Sequence, residues 1–330
     1  MKMHRGLKII SILLALAAVV PYLVFRPAPR PVWGVNFSIP QATYLGFEWQ
    51  KLYLDILDEL DAKRLRVMAY WELVEPSQGG FDFSAMDFIL EEARRRGVRI
   101  MLVLGHKQPR WPECHEPGWA RNLESKTKHQ ELLEYIEAVV KRYKDHPAIA
   151  AWQVENEPLF PFGPDCGRIP FGVYREEVAL VKSLDSRPIV VTDSGEKGAW
   201  LPTTWAGGEI FGATMYREIY HDKLGRYIKY PIPPALYRWK AGWLWLFSGV
   251  SGIIGVELQA EPWFATDVYR TPWERQRELM NGEKFLENVA YARRVGFAEN
   301  YFWGVEWWYY ARQVKGDAEI WNLAKKLLAE

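Results

Sequence analysis

The sequence predicts an α/β protein, a single (β/α)8 TIM barrel preceded by an N-terminal hydrophobic segment. Three observations lead there. Eight short runs rich in apolar and β-branched residues alternate with longer amphipathic stretches, the pattern of parallel βαβ units. The stretch they occupy, residues 33–330, is close to the roughly 250 residues usual for such barrels. The polar clusters follow the C-terminal ends of the runs, the face on which barrel enzymes assemble their sites. A doubly wound open sheet is the competing architecture, but no phosphate-binding first turn accompanies the first strand.

In chain order, Lys2, Arg5 and Lys8 lead into an apolar run from Leu7 to Phe25 that only Lys8, Ser11 and Pro21 interrupt. A basic start and such a run predict a signal peptide or an uncleaved signal-anchor, since roughly 20 apolar residues suffice to cross a bilayer. The small-x-small triplet Ala15-Leu16-Ala17 lies inside the run, and cleavage there would leave the apolar stub Ala18 to Phe25. The sequence therefore favours an anchor over a cleaved peptide, with the basic end in the cytoplasm. Residues 1–25 are expected to be this signal or anchor, residues 26–32 a Pro/Arg-rich extended spacer, and residues 33–330 the barrel. Export follows, either secreted or held at the extracellular face of the membrane.

The eight expected strands are Trp33–Ser38, Arg64–Trp71, Val98–Gly105, Ala148–Val154, Pro188–Asp193, Ile210–Tyr216, Gly252–Leu258 and Asn300–Gly304. Helical patterns fall between them, at Glu48–Leu60, Ser84–Arg96, Lys128–Tyr143, Tyr174–Leu184 and Trp273–Arg294. Within Ser84–Arg96 the apolar Met86, Ile89, Leu90 and Ala93 recur at helical spacing, and Gly97 stands where a C-terminal stop belongs. Tyr237–Phe247 is an aromatic stretch that either roofs a cleft or packs as a helix.

Composition narrows the function. With 49% hydrophobic and 25% charged residues the chain folds. Its 42 Lys and Arg nearly balance 41 Asp and Glu, which argues against a nucleic-acid partner. Residues 1–32 hold five of the bases and no acid, leaving the body mildly acidic at −4. The 17 Trp residues either pack the core or pave a cleft with flat faces for sugar rings. Cysteine and histidine spacings do not resemble a zinc site. No Walker loop, dinucleotide fingerprint or Gly-x-Ser-x-Gly elbow is present. No metal and no cofactor are expected, and the protein is read as a monomer.

Two strings carry the chemistry. Trp152-Gln153-Val154-Glu155-Asn156-Glu157-Pro158 ends the fourth strand, and Pro158 halts pairing so that Glu157 can point into the barrel mouth. Val256-Glu257-Leu258-Gln259-Ala260-Glu261-Pro262-Trp263 ends the seventh. There the strand period of two sets Glu257, Gln259 and Glu261 on one face, with the apolar alternates facing outward. Burying an unpaired carboxylate is costly. Two such groups suit glycoside hydrolysis, one protonated to serve the leaving oxygen and one ionised to attack the anomeric carbon.

The Asn156-Glu157-Pro158 triplet, a Glu ending the seventh strand and Trp303 ending the eighth resemble the clan A retaining glycoside hydrolases, the cellulase-like (β/α)8 group, over essentially all of residues 33–330. The resemblance implies Glu157 as acid/base and Glu257 as nucleophile. It also implies that Asn156 binds the sugar 2-hydroxyl, Tyr216 orients the nucleophile, Trp303 forms the sugar platform and Arg66 stands beside the nucleophile. The chain departs from the family in supplying a second acid soon after Glu257, so Glu261 is an alternative nucleophile; Glu155 is read as a structural partner. The strings Trp71–Pro76 and Gly105–Pro112 are read as subsite walls, bringing Trp71 and His106 to the substrate with Gln259 and Glu261. Within them Glu72 and Glu75 are also read as caps of local turns, and His106 as a core histidine.

Cys114 follows the third strand and Cys166 the fourth, so adjacent loops allow a disulfide at the rim. The leading expectation is an exported retaining β-glycosidase acting on a β-linked glycan or oligosaccharide. The competing one is a cell-surface barrel that binds carbohydrate without cleaving it.

Overall fold

The structure is a computed structural model that describes residues 2–163 and 166–330, with side chains from Ile10 onward; the side chains of Lys2, Arg5 and Lys8 lie outside the described residues. Its strands in chain order are β1 (Val32–Phe37), β2 (Arg64–Met68), β3 (Arg99–Leu104), β4 (Ile149–Val154), β5 (Ile189–Asp193) and β6 (Ile210–Met215). They continue with β7 (Glu218–His221), β8 (Arg226–Lys229), β9 (Gly252–Gln259) and β10 (Glu299–Trp303). Eight of them close a parallel barrel in the order β1-β10-β9-β6-β5-β4-β3-β2, while β7 and β8 form a separate antiparallel hairpin. The architecture is the (β/α)8 barrel, with helices between successive strands.

Strand alternation builds two apolar layers. On β3, Ile100, Leu102 and Leu104 face the helices in the large outer core, whereas Met101 joins Ala151, Val190, Ile254, Val256 and Tyr301 in a small inner cluster. Above that inner cluster the barrel fills with polar groups, including Asn36, Arg66, Gln153 and Glu257, all nearly inaccessible to solvent.

Strict alternation fails at one point on β9. Its register slips by a residue against both β6 and β10 next to Val256, so Val256 joins the inner cluster where an outward position was expected. A bulge of this kind lets a strand re-aim a side chain beside a site, and the re-aimed neighbour is Glu257.

Two other expectations are modified. Residues 273–294 are not one helix but two, Trp273–Leu279 and Gly282–Val295, because Met280 turns extended and Asn281 caps the second helix by accepting from Lys284 N at 3.0 Å. Residues 237–247 are helical within Pro234–Phe247.

The apolar start of the chain is the helix Lys2–Val24. Its C-terminal end lies along the helix Pro234–Phe247, so close that a Cβ on Gly242 would fall 1.7 Å from Pro21 O. Trp239 Nε1 donates to Ala17 O at 3.1 Å, and Phe25 is buried edge-on against Phe297. Among the described residues no helix is long and apolar enough to cross a membrane, and the first nine side chains of the expected anchor lie outside them.

Candidate active site

The ends of β4 and β9 meet at one cavity of about 400 Å³ at the C-terminal mouth of the barrel, within the range of small-molecule sites. Glu113, Asn156, Glu157, Glu196, Tyr216 and Glu257 line it together with Phe160, Phe162, Trp263 and the β7–β8 hairpin residues Tyr220 to Lys223.

The β4 end is held by its neighbours rather than by solvent. Glu155 and Glu157 both adopt positive φ, at 57° and 44°, a conformation costly enough outside glycine that it persists only where the surroundings impose it. The Glu155 carboxylate turns away from the cavity and accepts from His106 N at 3.0 Å and Lys107 N at 2.7 Å. A Cβ on Gly105 would lie 2.3 Å from that carboxylate, so only glycine fits there. Buried Lys107 donates its ammonium to the carbonyls of Glu157, Phe160 and Gly167 at 3.1, 2.5 and 3.0 Å. Three carbonyls on one cation set the path of the loop that carries Glu157. The Cys114–Cys166 disulfide, with Cα atoms 5.3 Å apart, ties the same loop to the one after β3.

The Glu157 backbone amide donates to Thr192 Oγ1 at 2.9 Å, and its Oε1 lies 3.2 Å from the Thr214 hydroxyl. Among the described residues no cation pairs with its carboxyl. Burial first, then the charges of Glu257 and Glu113, push its pKa well above the ordinary carboxylate range.

Glu257 is held in the opposite way. Its Oε1 accepts from Arg66 Nη1 at 2.7 Å and its Oε2 from the Tyr216 hydroxyl at 2.8 Å. Burial and the Glu257 charge raise the Tyr216 phenol well above its usual value, which keeps it a donor. Arg66 is wholly buried and also donates to Asn36 Oδ1, Gln153 Oε1 and Asn156 Oδ1 at 3.0, 2.7 and 2.9 Å. One guanidinium thus aligns groups from β1, β4 and β9, since its planar donors radiate in fixed directions.

Of the residues singled out in the sequence, Glu157, Glu257, Asn156 and Tyr216 line the cavity, and Arg66 lies beneath them. Five others are not among its lining residues. Trp71 is fully buried, donates to Glu75 Oε2 at 2.8 Å and packs on Trp119 and Tyr135. His106 Nδ1 sits 3.1 Å from Glu155 Oε1. Gln259 holds the hairpin, accepting from Arg217 N and Glu218 N at 2.8 and 2.9 Å. Glu261 pairs with Arg110 at 2.5 Å, and the Arg110 guanidinium covers the Trp303 ring, 4.1 Å from its centroid. Of the two turn-capping candidates, Glu75 accepts from Gly79 N at 2.8 Å and Glu72 pairs with His115 at 3.0 Å.

Several lining residues carry no local signal. Glu113 and Glu196 lie in loops whose path depends on distant contacts, and Tyr220 to Lys223 sit on a hairpin that reads as a plain connection. Asn36, central to the Arg66 network, looks like any polar residue in a strand.

Comparison with known proteins gives a consistent picture. Residues 68–177, a third of the chain containing Glu157 but not Glu257, match the model of Glycosyl hydrolase family 10. Mannan endo-1,4-beta-mannosidase F of Aspergillus fumigatus is 27% identical over 171 residues, 45% of this chain and 37% of that protein. Mannan endo-1,4-beta-mannosidase 7 of Arabidopsis thaliana is 32% identical over 123 residues, 31% of this chain and 28% of that protein. The chain thus spans well under half the length of these relatives. Among solved structures, GH5_18 from Streptomyces cattleya in complex with GlcNAc superposes with a TM-score of 0.56 at 15% identity, over 84% of this chain and 71% of that one. The family 10 endo-beta-1,4-xylanase of Gloeophyllum trabeum gives 0.53 at 15%, over 84% and 85%. The similarity to clan A (β/α)8 glycoside hydrolases holds in both sequence and fold.

Proposed function

We propose that this protein is a retaining glycoside hydrolase that cleaves β-linked glycans or oligosaccharides by double displacement. Glu157, protonated, donates to the glycosidic oxygen as Glu257 attacks the anomeric carbon to form a glycosyl–enzyme intermediate. Glu157, now a carboxylate, then takes a proton from the water that releases the sugar. The observation that carries this is the contrast within one cavity: Glu257 is gripped by a guanidinium and a phenol, while among the described residues no cation pairs with Glu157 and burial raises its pKa.

The same contrast favours Glu257 over Glu261 as nucleophile, because Arg110 occupies Glu261 outside the cavity. Asn156 is assigned to the sugar 2-hydroxyl. The relatives named as mannan endo-1,4-beta-mannosidases make β-1,4-mannan the first polymer to try, and we infer that the protein acts after export. The experiment is a fluorosugar that traps the intermediate, followed by peptide mapping. Label on Glu257, with Glu157→Gln inactive on natural linkages, is expected; label on Glu261 refutes the assignment. Glycan binding with no turnover of any glycoside would favour the non-catalytic barrel.

A further inference from the structure

A third glutamate stands in the cavity with no role in double displacement. Glu113 lies four residues before Pro117 in the loop after β3, is only 8% exposed and still lines the cavity. Its backbone is held at φ 73°, with Glu113 N donating to Arg110 O at 2.7 Å and Gln108 N donating to Glu113 O at 2.9 Å. The next residue is bonded through the disulfide to the loop that carries Glu157. A strained, stapled backbone fixes where this carboxyl points.

One oxygen is used: Glu113 Oε2 accepts from Asn156 Nδ2 at 3.1 Å. Oε1 has no hydrogen-bond partner among the described residues. Among the described residues no cation pairs with the group, and burial followed by the Glu257 charge pushes its pKa up to about 8. Asn156 in turn accepts from Arg66 at Oδ1 and donates one Nδ2 hydrogen to Glu113, leaving a single N–H for substrate. Asn156 and the second Glu113 oxygen are therefore adjacent polar groups lining the cavity.

Resting on the glycosidase reading above, we infer that Glu113 is a substrate-binding residue whose free carboxyl oxygen hydrogen-bonds the sugar hydroxyl next to the anomeric carbon, alongside Asn156. The favoured substrate class is glycosides with that hydroxyl free. A site built around a hydroxyl rejects the analogue lacking it, because its buried polar groups are then left unpaired.

The test uses the full chain, an aryl β-glycoside that the wild type turns over, and the 2-deoxy form of the same glycoside. Glu113→Ala is expected to lower kcat/KM on the parent glycoside about 10²-fold, the scale of one lost buried hydrogen bond to a reacting sugar, and on the 2-deoxy glycoside less than about threefold. Glu113→Gln, which keeps a polar end of the same size that can accept from Asn156 and bond the sugar, should recover most of the loss. In an Asn156→Ala background Glu113→Ala must still cost at least about fivefold on the parent. Equal losses on both glycosides, or no further loss without Asn156, would make Glu113 a mere support and overturn the inference. Should Glu113→Ala not fold, Glu113→Leu fills the volume without polar atoms and serves the same comparison. No wild-type turnover of any glycoside would instead defeat the glycosidase reading itself, and this role with it.

Discussion

Two pairs of buried glutamates sit at the barrel mouth in contrasting settings. Glu261 and Glu306 share Arg110, whose guanidinium reaches them at 2.5 and 2.6 Å while stacked on Trp303. Glu157 and Glu113 are buried to a similar degree, and among the described residues no cation pairs with either. The first pair shares one fixed counter-charge, although burial still raises the Glu306 pKa, and forms a wall. The second has no such counter-charge, and burial, which favours the uncharged form, raises both pKa values.

The contrast is broken most strongly by Glu157→Gln. Removing the proposed proton donor should lower kcat about 10²–10⁴-fold on a glycoside with a poor leaving group, with the unfolding midpoint unchanged or raised, since among the described residues no ion pair is lost. Arg110→Met should do the reverse at comparable scale. Stripping the cation from two buried carboxylates costs about 3–5 kcal/mol of stability, read by denaturant unfolding. If Arg110→Met cost nothing, the wall would not depend on its ion pairs.

Cys114→Ser sharpens the comparison by freeing the loop that carries Glu157 from the loop that carries both Glu113 and Arg110. Loss of a disulfide typically costs about 2–4 kcal/mol, and proteolysis should find the loops after β3 and β4 first. The smallest expected effect is a slope with pH. A carboxyl whose folded pKa is raised binds its proton more tightly in the folded state than in the unfolded one. Glu113 therefore contributes stability that is full below its ordinary value of 4.5 and is lost as pH rises toward about 8. The wild-type midpoint should fall across that window, and Glu113→Gln should flatten the fall. The same sign governs turnover: kcat/KM should decline as pH rises through the elevated Glu157 value, where the acid is lost.

The barrel was legible because each strand carries its own signal. Ile100, Leu102 and Leu104 alternate with Met101 and Val103 whatever lies elsewhere, and the eight expected runs all became barrel strands. Glu157 was legible for the same reason, since a proline and a strand end announce it locally. The break at Met280–Asn281 was not, because apolar periodicity runs through it and only the cap bond from Lys284 reveals the stop.

Trp303 and Glu113 show the limit. From sequence the tryptophan is a free face at a strand end, yet Arg110, nearly two hundred residues earlier, lies over it. Nothing around Glu113 distinguishes it from a surface acid until the turn of its loop, the disulfide and Asn156 bring it to the cavity. By itself the sequence determined the barrel, its polar face and the glutamate at the end of β4, all of which follow from periodicity and nearest neighbours along the chain. Only the tertiary structure decided which buried carboxyls meet a cation and which stand beside another carboxyl, because that choice is made by groups far apart in sequence and a few ångströms apart in space.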